Sequence, residues 1–177
     1  CIVGENWSSE TRSVAMILTS GGSRLCTGAL INNARQDLTP YFLTANHCLG
    51  GESNWLFMFN YESSGCTNQN GPTSMTVSGS TLLVNSSPSD VALLELDENP
   101  PLDWEVHYSG WDADPSTPST PVCIHHPSGD IKKISFDYQN PTTDGQLWRI
   151  GQWEDGTTEP GSSGSPLFDG ITQRIVG

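Results

Sequence analysis

Positive charge is scarce in this chain: seven Lys and Arg stand against 20 Asp and Glu, giving a net charge of −13. Such a polyanion has no electrostatic means of holding a phosphate backbone or an anionic bilayer, so neither nucleic acid nor membrane is expected as a partner. Solubility alone accounts for the acidity. No apolar run approaches the ~20 residues that span a bilayer, and no basic segment leads into an apolar one at the start. The chain opens on Cys1 without a Met, as expected of a processed or cut polypeptide. Long amphipathic helical patterns are missing as well. Eighteen Gly and 12 Pro interrupt short apolar stretches, and because both residues break helices, an all-β protein is expected. None of the five cysteines falls in a CxxC or CxxH spacing, so zinc is not expected, nor any other metal or cofactor. Five is still many for a cytosolic enzyme of this size. Disulfides in an oxidising, extracellular compartment are the better reading, with the pairing left open by composition and one thiol left over.

What is present is a succession of short apolar runs. Strands are predicted at Val14 to Thr19, Leu25 to Ile31, Tyr41 to Thr44, Trp55 to Tyr61, Thr81 to Val84 and Val91 to Leu96, separated by Gly-, Ser- and Asn-rich turns. The tandem proline of Asp97-Glu98-Asn99-Pro100-Pro101 forbids ladder hydrogen bonds and reads as a linker, which divides the chain into 1–98 and 99–177. Further strands are predicted at Glu105 to Ser109, Val122 to His125, Ile131 to Phe136, Leu147 to Trp153, Ser165 to Phe168 and Ile171 to Val176, the last two joined by a tight Asp169-Gly170 hairpin. The final strand leaves an edge for something else to cover.

Three segments carry chemistry. Glu159-Pro160-Gly161-Ser162-Ser163-Gly164-Ser165-Pro166 sets three serines among sharp turns. Leu43-Thr44-Ala45-Asn46-His47-Cys48 ends an apolar strand on a histidine, and Ser89-Asp90-Val91-Ala92-Leu93-Leu94 places a carboxylate at the mouth of another. Acyl transfer by serine needs these three groups: a hydroxyl, a neutral imidazole to take its proton, and a carboxylate to hold the imidazole's tautomer. Unrelated folds assemble them in different chain orders, and the order here is His, Asp, Ser. His125 and His126 are adjacent, so strand geometry sends them to opposite faces, and they read as structural.

Thr44-Ala45-Asn46-His47-Cys48, Asp90-Val91-Ala92-Leu93-Leu94 and Gly161-Ser162-Ser163-Gly164-Ser165-Pro166 resemble the three signature segments of the chymotrypsin-like serine peptidases. Tyr41-Phe42-Leu43, Ile124-His125-His126-Pro127 and Thr158-Glu159-Pro160 narrow the resemblance to the bacterial secreted lysyl endopeptidase branch, along essentially the whole chain. The resemblance implies two packed antiparallel β-barrels, the first (1–98) carrying His47 and Asp90, the second (99–177) carrying the nucleophile Ser163 and incomplete. It implies an oxyanion hole from the amides of Gly161 and Ser163, disulfides Cys26–Cys48 and Cys1–Cys66, and Trp153 stacked on the catalytic imidazole, while Cys123 has no obvious partner. Protein or peptide substrates cut after a basic residue, lysine foremost, follow from the same branch, with glutamyl specificity or an inactive, peptidase-like binding module as the alternatives.

Two departures stand out. Cys1-Ile2-Val3-Gly4 suggests the inserted terminus of animal digestive peptidases, but the residue before the nucleophile is Ser162, which offers no charge partner. Six residues before Ser163, where trypsins keep an acidic specificity residue, stands Thr157. Lysyl endopeptidases carry their selecting carboxylate well downstream of the nucleophile, so a further C-terminal segment or second chain is expected to wall the pocket.

Overall fold

The computed structural model describes residues 2–177, with the side chains of Ile2 and Val3 excepted. Twelve strands are present among the described residues: β1 (Val14–Leu18), β2 (Arg24–Ile31), β3 (Tyr41–Ala45), β4 (Leu56–Phe59), β5 (Thr76–Ser78), β6 (Ser80–Ser86), β7 (Val91–Leu96), β8 (Val122–His125), β9 (Lys133–Phe136), β10 (Thr142–Asp144), β11 (Leu147–Arg149) and β12 (Leu167–Phe168). Helix among the described residues is confined to short pieces, a six-residue 3₁₀ segment, Ile2–Trp7, running into the α-helical turn Ser8–Thr11, and three-residue 3₁₀ turns elsewhere.

The first seven strands form one antiparallel sheet in the order β5-β4-β1-β2-β3-β7-β6. Its two edge strands, β5 and β6, are consecutive in the chain and separated only by Gly79, so the sheet curls round until one bent strand closes it. Inside lie Ala15, Ile17, Leu30, Phe42, Trp55, Phe57, Phe59 and Leu94, with Phe42 and Phe57 packed edge to face at 4.9 Å. Strand β7 alternates between buried and more exposed positions, as expected for a sheet with one face inward. Strand β1 is buried throughout, because its other face is also covered: Met16 and Leu18 meet Met58, Tyr61 and Ile131, while Val14 joins Val122, Ile124, Phe136 and Phe168. That second core draws on both halves of the sequence and is sealed by Trp7, whose indole lies 5.7 Å from the Phe168 ring.

The later strands form a three-stranded sheet, β12-β8-β9, and a separate exposed ribbon, β10-β11. Two predicted strands are not found. Residues 105–109 run irregularly, with Ser109 alone bridging to Ile31. Residues 171–176 do pair back on β12, through the Phe168–Ile175 bridge, but by a wider turn than the two-residue hairpin expected. The reason is the Asp169 carboxylate, which accepts from the N–H groups of Ile171, Thr172 and Ser119 and so organises a longer loop. Strands β5 and β10 were not anticipated, since each is three residues long and largely polar.

Candidate active site

Strand β3 delivers His47 on a single 3₁₀ turn, Asn46–Cys48, and the following Cys48 is bonded to Cys26 of the neighbouring strand β2. The histidine segment is thus stapled to the sheet from below. Asp90 sits at the entry to β7, whose register sets Val91 opposite Ala45. Its backbone is in the left-handed region, φ +48°, a conformation that costs a non-glycine residue about 1 kcal/mol and gathers at functional sites. That turn lets Asp90 grip the histidine segment three ways: its carbonyl accepts from Asn46 N–H (3.0 Å), Oδ1 accepts from His47 N–H (2.9 Å), and Oδ2 lies 2.6 Å from His47 Nδ1. The carboxylate therefore holds the proton on Nδ1 and leaves Nε2 as the basic nitrogen. The imidazole side chain is 55% exposed, open to a substrate.

The Ser163 loop packs on the same end of β3. Gly164, at φ +79°, lies so close that a Cβ there would collide with Thr44 Oγ1 and the Thr27 carbonyl and come within 2.8 Å of Ala45 N, two residues before His47. Gly164→Ala is therefore expected to lift the loop from the strand and lower kcat/KM by about 100-fold, the usual consequence of misplacing reacting groups by an ångström. Steady-state rates normalised to titrated sites check this, and an unimpaired variant contradicts it. Ser163 itself is half-buried, and its hydroxyl makes no hydrogen bond among the described residues, His47 included. Its proton is not committed elsewhere, and the short contact to a base is commonly completed only when substrate binds. The N–H groups of Gly161, Ser163 and Gly164 likewise have no protein acceptor among the described residues, while those of Glu159, Ser162 and Ser165 are all used inside the loop.

A second His–Ser contact lies beneath. His125 is fully buried, with Nδ1 2.7 Å from Ser162 Oγ and Nε2 3.1 Å from Ser135 Oγ. Ser135 donates onward to the Thr157 carbonyl, so Nε2 carries a proton and donates to Ser135 Oγ; with the ring neutral, Nδ1 accepts from Ser162 Oγ, which itself accepts from Glu159 N–H. No carboxylate bonds to either nitrogen, and burial pushes the imidazole down to about 4. Ser162 is itself buried. This pair braces the loop from inside.

His126 is buried too, stacked on Tyr61 with Nδ1 3.0 Å from the Asp130 carbonyl, and burial with the nearby Lys132 charge pushes it down to about 3. Trp153 is half-buried outside the strands and makes no ring contact with His47. Trp148 on β11 donates to the Val176 carbonyl at 3.0 Å, and Trp111 to the Asn32 carbonyl at 2.9 Å; nothing in the sequence motifs marks either. Cys123 is a buried free thiol 3.1 Å from Ser165 Oγ, pushed up to about 12 by burial and so unreactive. Cys66 is disulfide-bonded, and its expected partner Cys1 lies outside the described residues. Cys26, His47 and Cys48 bring ligand-type atoms within 4.8 Å of one another, but the two sulfurs are joined as the disulfide and offer no thiolate to a metal. A groove of about 1090 Å³ borders the segment before Ser163, lined among others by Pro127, Ser128, Ile134, Thr157 and Glu159, with neither His47 nor Ser163 in its walls.

Comparison with known proteins agrees with this geometry. The family model described as lysyl endopeptidase, C-terminal domain, matches residues 1–177. The chain belongs to the lysyl endopeptidase C-terminal domain family. A lysyl endopeptidase of Pseudomonas aeruginosa is 33% identical over 179 residues, an alignment covering 92% of this chain and 38% of that protein, so the chain spans well under half of the relative's length. Among solved structures, the thermostable serine protease AL20 from an extremophilic microorganism superposes with a TM-score of 0.63 at 14% identity, over 95% of this chain and 83% of that one. The protease Anisep of Arthrobacter nicotinovorans gives 0.63 at 19% identity, over 93% and 80%. At such identities these likenesses show the fold alone: this lysyl endopeptidase family member has the chymotrypsin-like serine protease fold.

Proposed function

We propose that this chain carries the catalytic residues of a secreted serine endopeptidase that cleaves polypeptides after lysine. The observation that carries the reading is the 2.6 Å contact of His47 Nδ1 with Asp90 beside a loop in which the Ser163 hydroxyl and the N–H groups of Gly161 and Ser163 are uncommitted. In this reading Ser163 Oγ attacks the scissile carbonyl while His47 Nε2 takes its proton, and Asp90 stabilises the imidazolium so formed. The carbonyl oxygen, now negative, is received by the N–H groups of Gly161 and Ser163. His47 then returns the proton to the departing amine, leaving an ester on Ser163 that water hydrolyses by the same steps reversed.

Lysine selection is supported by the family match and by the name of the Pseudomonas aeruginosa relative. Thr157 supplies no charge where a trypsin-like pocket would have one, so the selecting group must be placed differently. Export is supported by the Cys26–Cys48 disulfide, which persists only outside the reducing cytosol. Matched peptide substrates differing only in Lys, Arg, Glu or Phe before the scissile bond test the assignment. Hydrolysis after Lys exceeding the others by about 100-fold or more is expected. Preference for Glu overturns the lysine reading, and no hydrolysis of any of them overturns the enzyme.

A further inference from the structure

Three successive peptide units make up the turn before the nucleophile: Pro160–Gly161, Gly161–Ser162 and Ser162–Ser163. No cis bond is present in the described chain, so in each unit the C=O and N–H point in opposite directions. The outer two units own the N–H groups of Gly161 and Ser163, and both are held by their carbonyls: Pro160 C=O accepts from Ser128 N–H at 2.7 Å and Ser162 C=O from Ser165 N–H at 3.0 Å. Those anchors turn the two free N–H groups away from the loop's interior.

The middle unit fixes how the outer two face each other, because it shares an α-carbon with each. Its N–H donates to the Glu159 carbonyl at 2.9 Å, within the turn. Its carbonyl, that of Gly161, is held from outside: the Thr27 hydroxyl of strand β2 donates to it at 2.8 Å. Gly161 is at φ +94°, where no side chain restrains rotation of the adjoining peptide, so the hydrogen bonds at its two ends are what fix this unit. Thr27 is fully buried, and His126 N–H donates to its Oγ1 at 3.2 Å, which aims the hydroxyl proton at Gly161. The backbone of the same residue holds the far side of the nucleophile, with Thr27 N–H donating to the Ser163 carbonyl at 2.8 Å. The Thr27 carbonyl accepts from Thr44 Oγ1 at 2.8 Å, three residues before His47, and the preceding Cys26 is bonded to Cys48 directly after it.

We propose that the Thr27 hydroxyl is a positioning group for the oxyanion hole, locking the Gly161–Ser162 peptide so that the N–H groups of Gly161 and Ser163 converge on one point held in register with His47. The proposal rests on the serine-peptidase reading above. Thr27→Val keeps the shape and removes the hydroxyl. In the full-length protein, kcat per titrated active site is expected to fall about 10- to 100-fold, less than the loss of an oxyanion donor outright, while KM moves less than about twofold because the ground-state carbonyl gains little from the hole. Thr27→Ser, which restores the donor, is expected to recover kcat to within about threefold.

A merely structural role would reduce the yield of titratable sites and leave kcat per site alone. A Thr27→Val kcat within about threefold of the parent overturns the proposal, and so does Thr27→Ser falling as far as Thr27→Val, which would place the effect in the methyl group. Should Thr27→Val fail to accumulate folded, Thr27→Ala removes the same hydroxyl without bulk and is read in the same way. Ser163→Ala run alongside separates the two levels. Activity persisting there removes the active-site reading itself, whereas its loss beside an unimpaired Thr27 variant removes only the positioning role.

Discussion

Peptide hydrolysis by the Ser163→Ala variant is expected to fall by about 10⁴-fold or more, with the thermal unfolding midpoint shifted by less than about 2 °C. The loss follows from removing the atom that forms the acyl bond, after which only residual stabilisation by the loop remains. The unchanged stability follows from a different fact: the Ser163 hydroxyl has no hydrogen-bond partner among the described residues, so its deletion orphans nothing. The neighbouring serine makes the contrast. Ser162 is buried and its hydroxyl joins both His125 and the Glu159 amide, so Ser162→Ala leaves the buried His125 Nδ1 and the Glu159 N–H without this partner and costs stability. Two serines one residue apart are thereby distinguished by opposite signatures, one kinetic and one thermodynamic. Retained turnover in Ser163→Ala, measured on protein freed of contaminating peptidases, would remove Ser163 from the chemistry.

How far the sequence foretells this molecule depends on whether a feature is local. Strand β7 is read to the residue because an apolar run, Val91 to Leu96 broken only by Glu95, follows a clear turn, and β8 because Val122, Cys123 and Ile124 follow Pro121 and His125 stands two residues before Pro127. The His47 and Asp90 segments are legible for the same reason: each sets a candidate catalytic residue beside a strand whose pattern is plain. Residues 171–176 look like a strand because Ile171, Ile175 and Val176 are β-formers, yet Ile171 stands 76% exposed in a turn imposed by the Asp169 carboxylate. A side chain capping backbone amides leaves no periodic trace. Thr27 is the extreme case, since its partners Gly161, Ser163 and His126 are a hundred or so residues away, and a lone threonine inside an apolar strand carries no mark of them. Nor does the sequence disclose that the adjacent His125 and His126 both end fully buried, one under the nucleophile loop and the other against Tyr61.

That burial sets the last expectation, a loss of stability in mild acid well before the carboxylates titrate. In the unfolded chain both histidines take up a proton near pH ~6.5. In the folded chain burial holds His125 down to about 4, and burial together with the Lys132 and Arg24 charges holds His126 down to about 3. Both folded values are depressed, so the stabilisation is complete above the unfolded value and is lost as pH falls toward the folded ones. Within that window these two residues bind up to two more protons in the unfolded state than in the folded one, a slope of about 2.7 kcal/mol per pH unit at most, or about 4 kcal/mol lost by pH 5, and His107, also lowered by burial, acts in the same direction. Against a typical domain stability of about 5–15 kcal/mol this is a large fraction. The lowered carboxyls of Asp37, Asp114 and Asp169 titrate below this range, and Asp137, pushed up by burial, acts in the opposite sense nearer the carboxylate range. Urea midpoints measured from pH 4.5 to 8 should therefore fall steeply below pH 6.5, and His126→Phe, which keeps an aromatic ring against Tyr61 without a titrating nitrogen, should have about half the slope at lower absolute stability. Protonation also reverses the contact under the Ser163 loop: a protonated His125 donates from Nδ1 to the Ser162 hydroxyl from which it now accepts, and the Ser162 proton must find another acceptor. Stability that stays flat between pH 5 and 7 would show that these imidazoles protonate without leaving their buried sites.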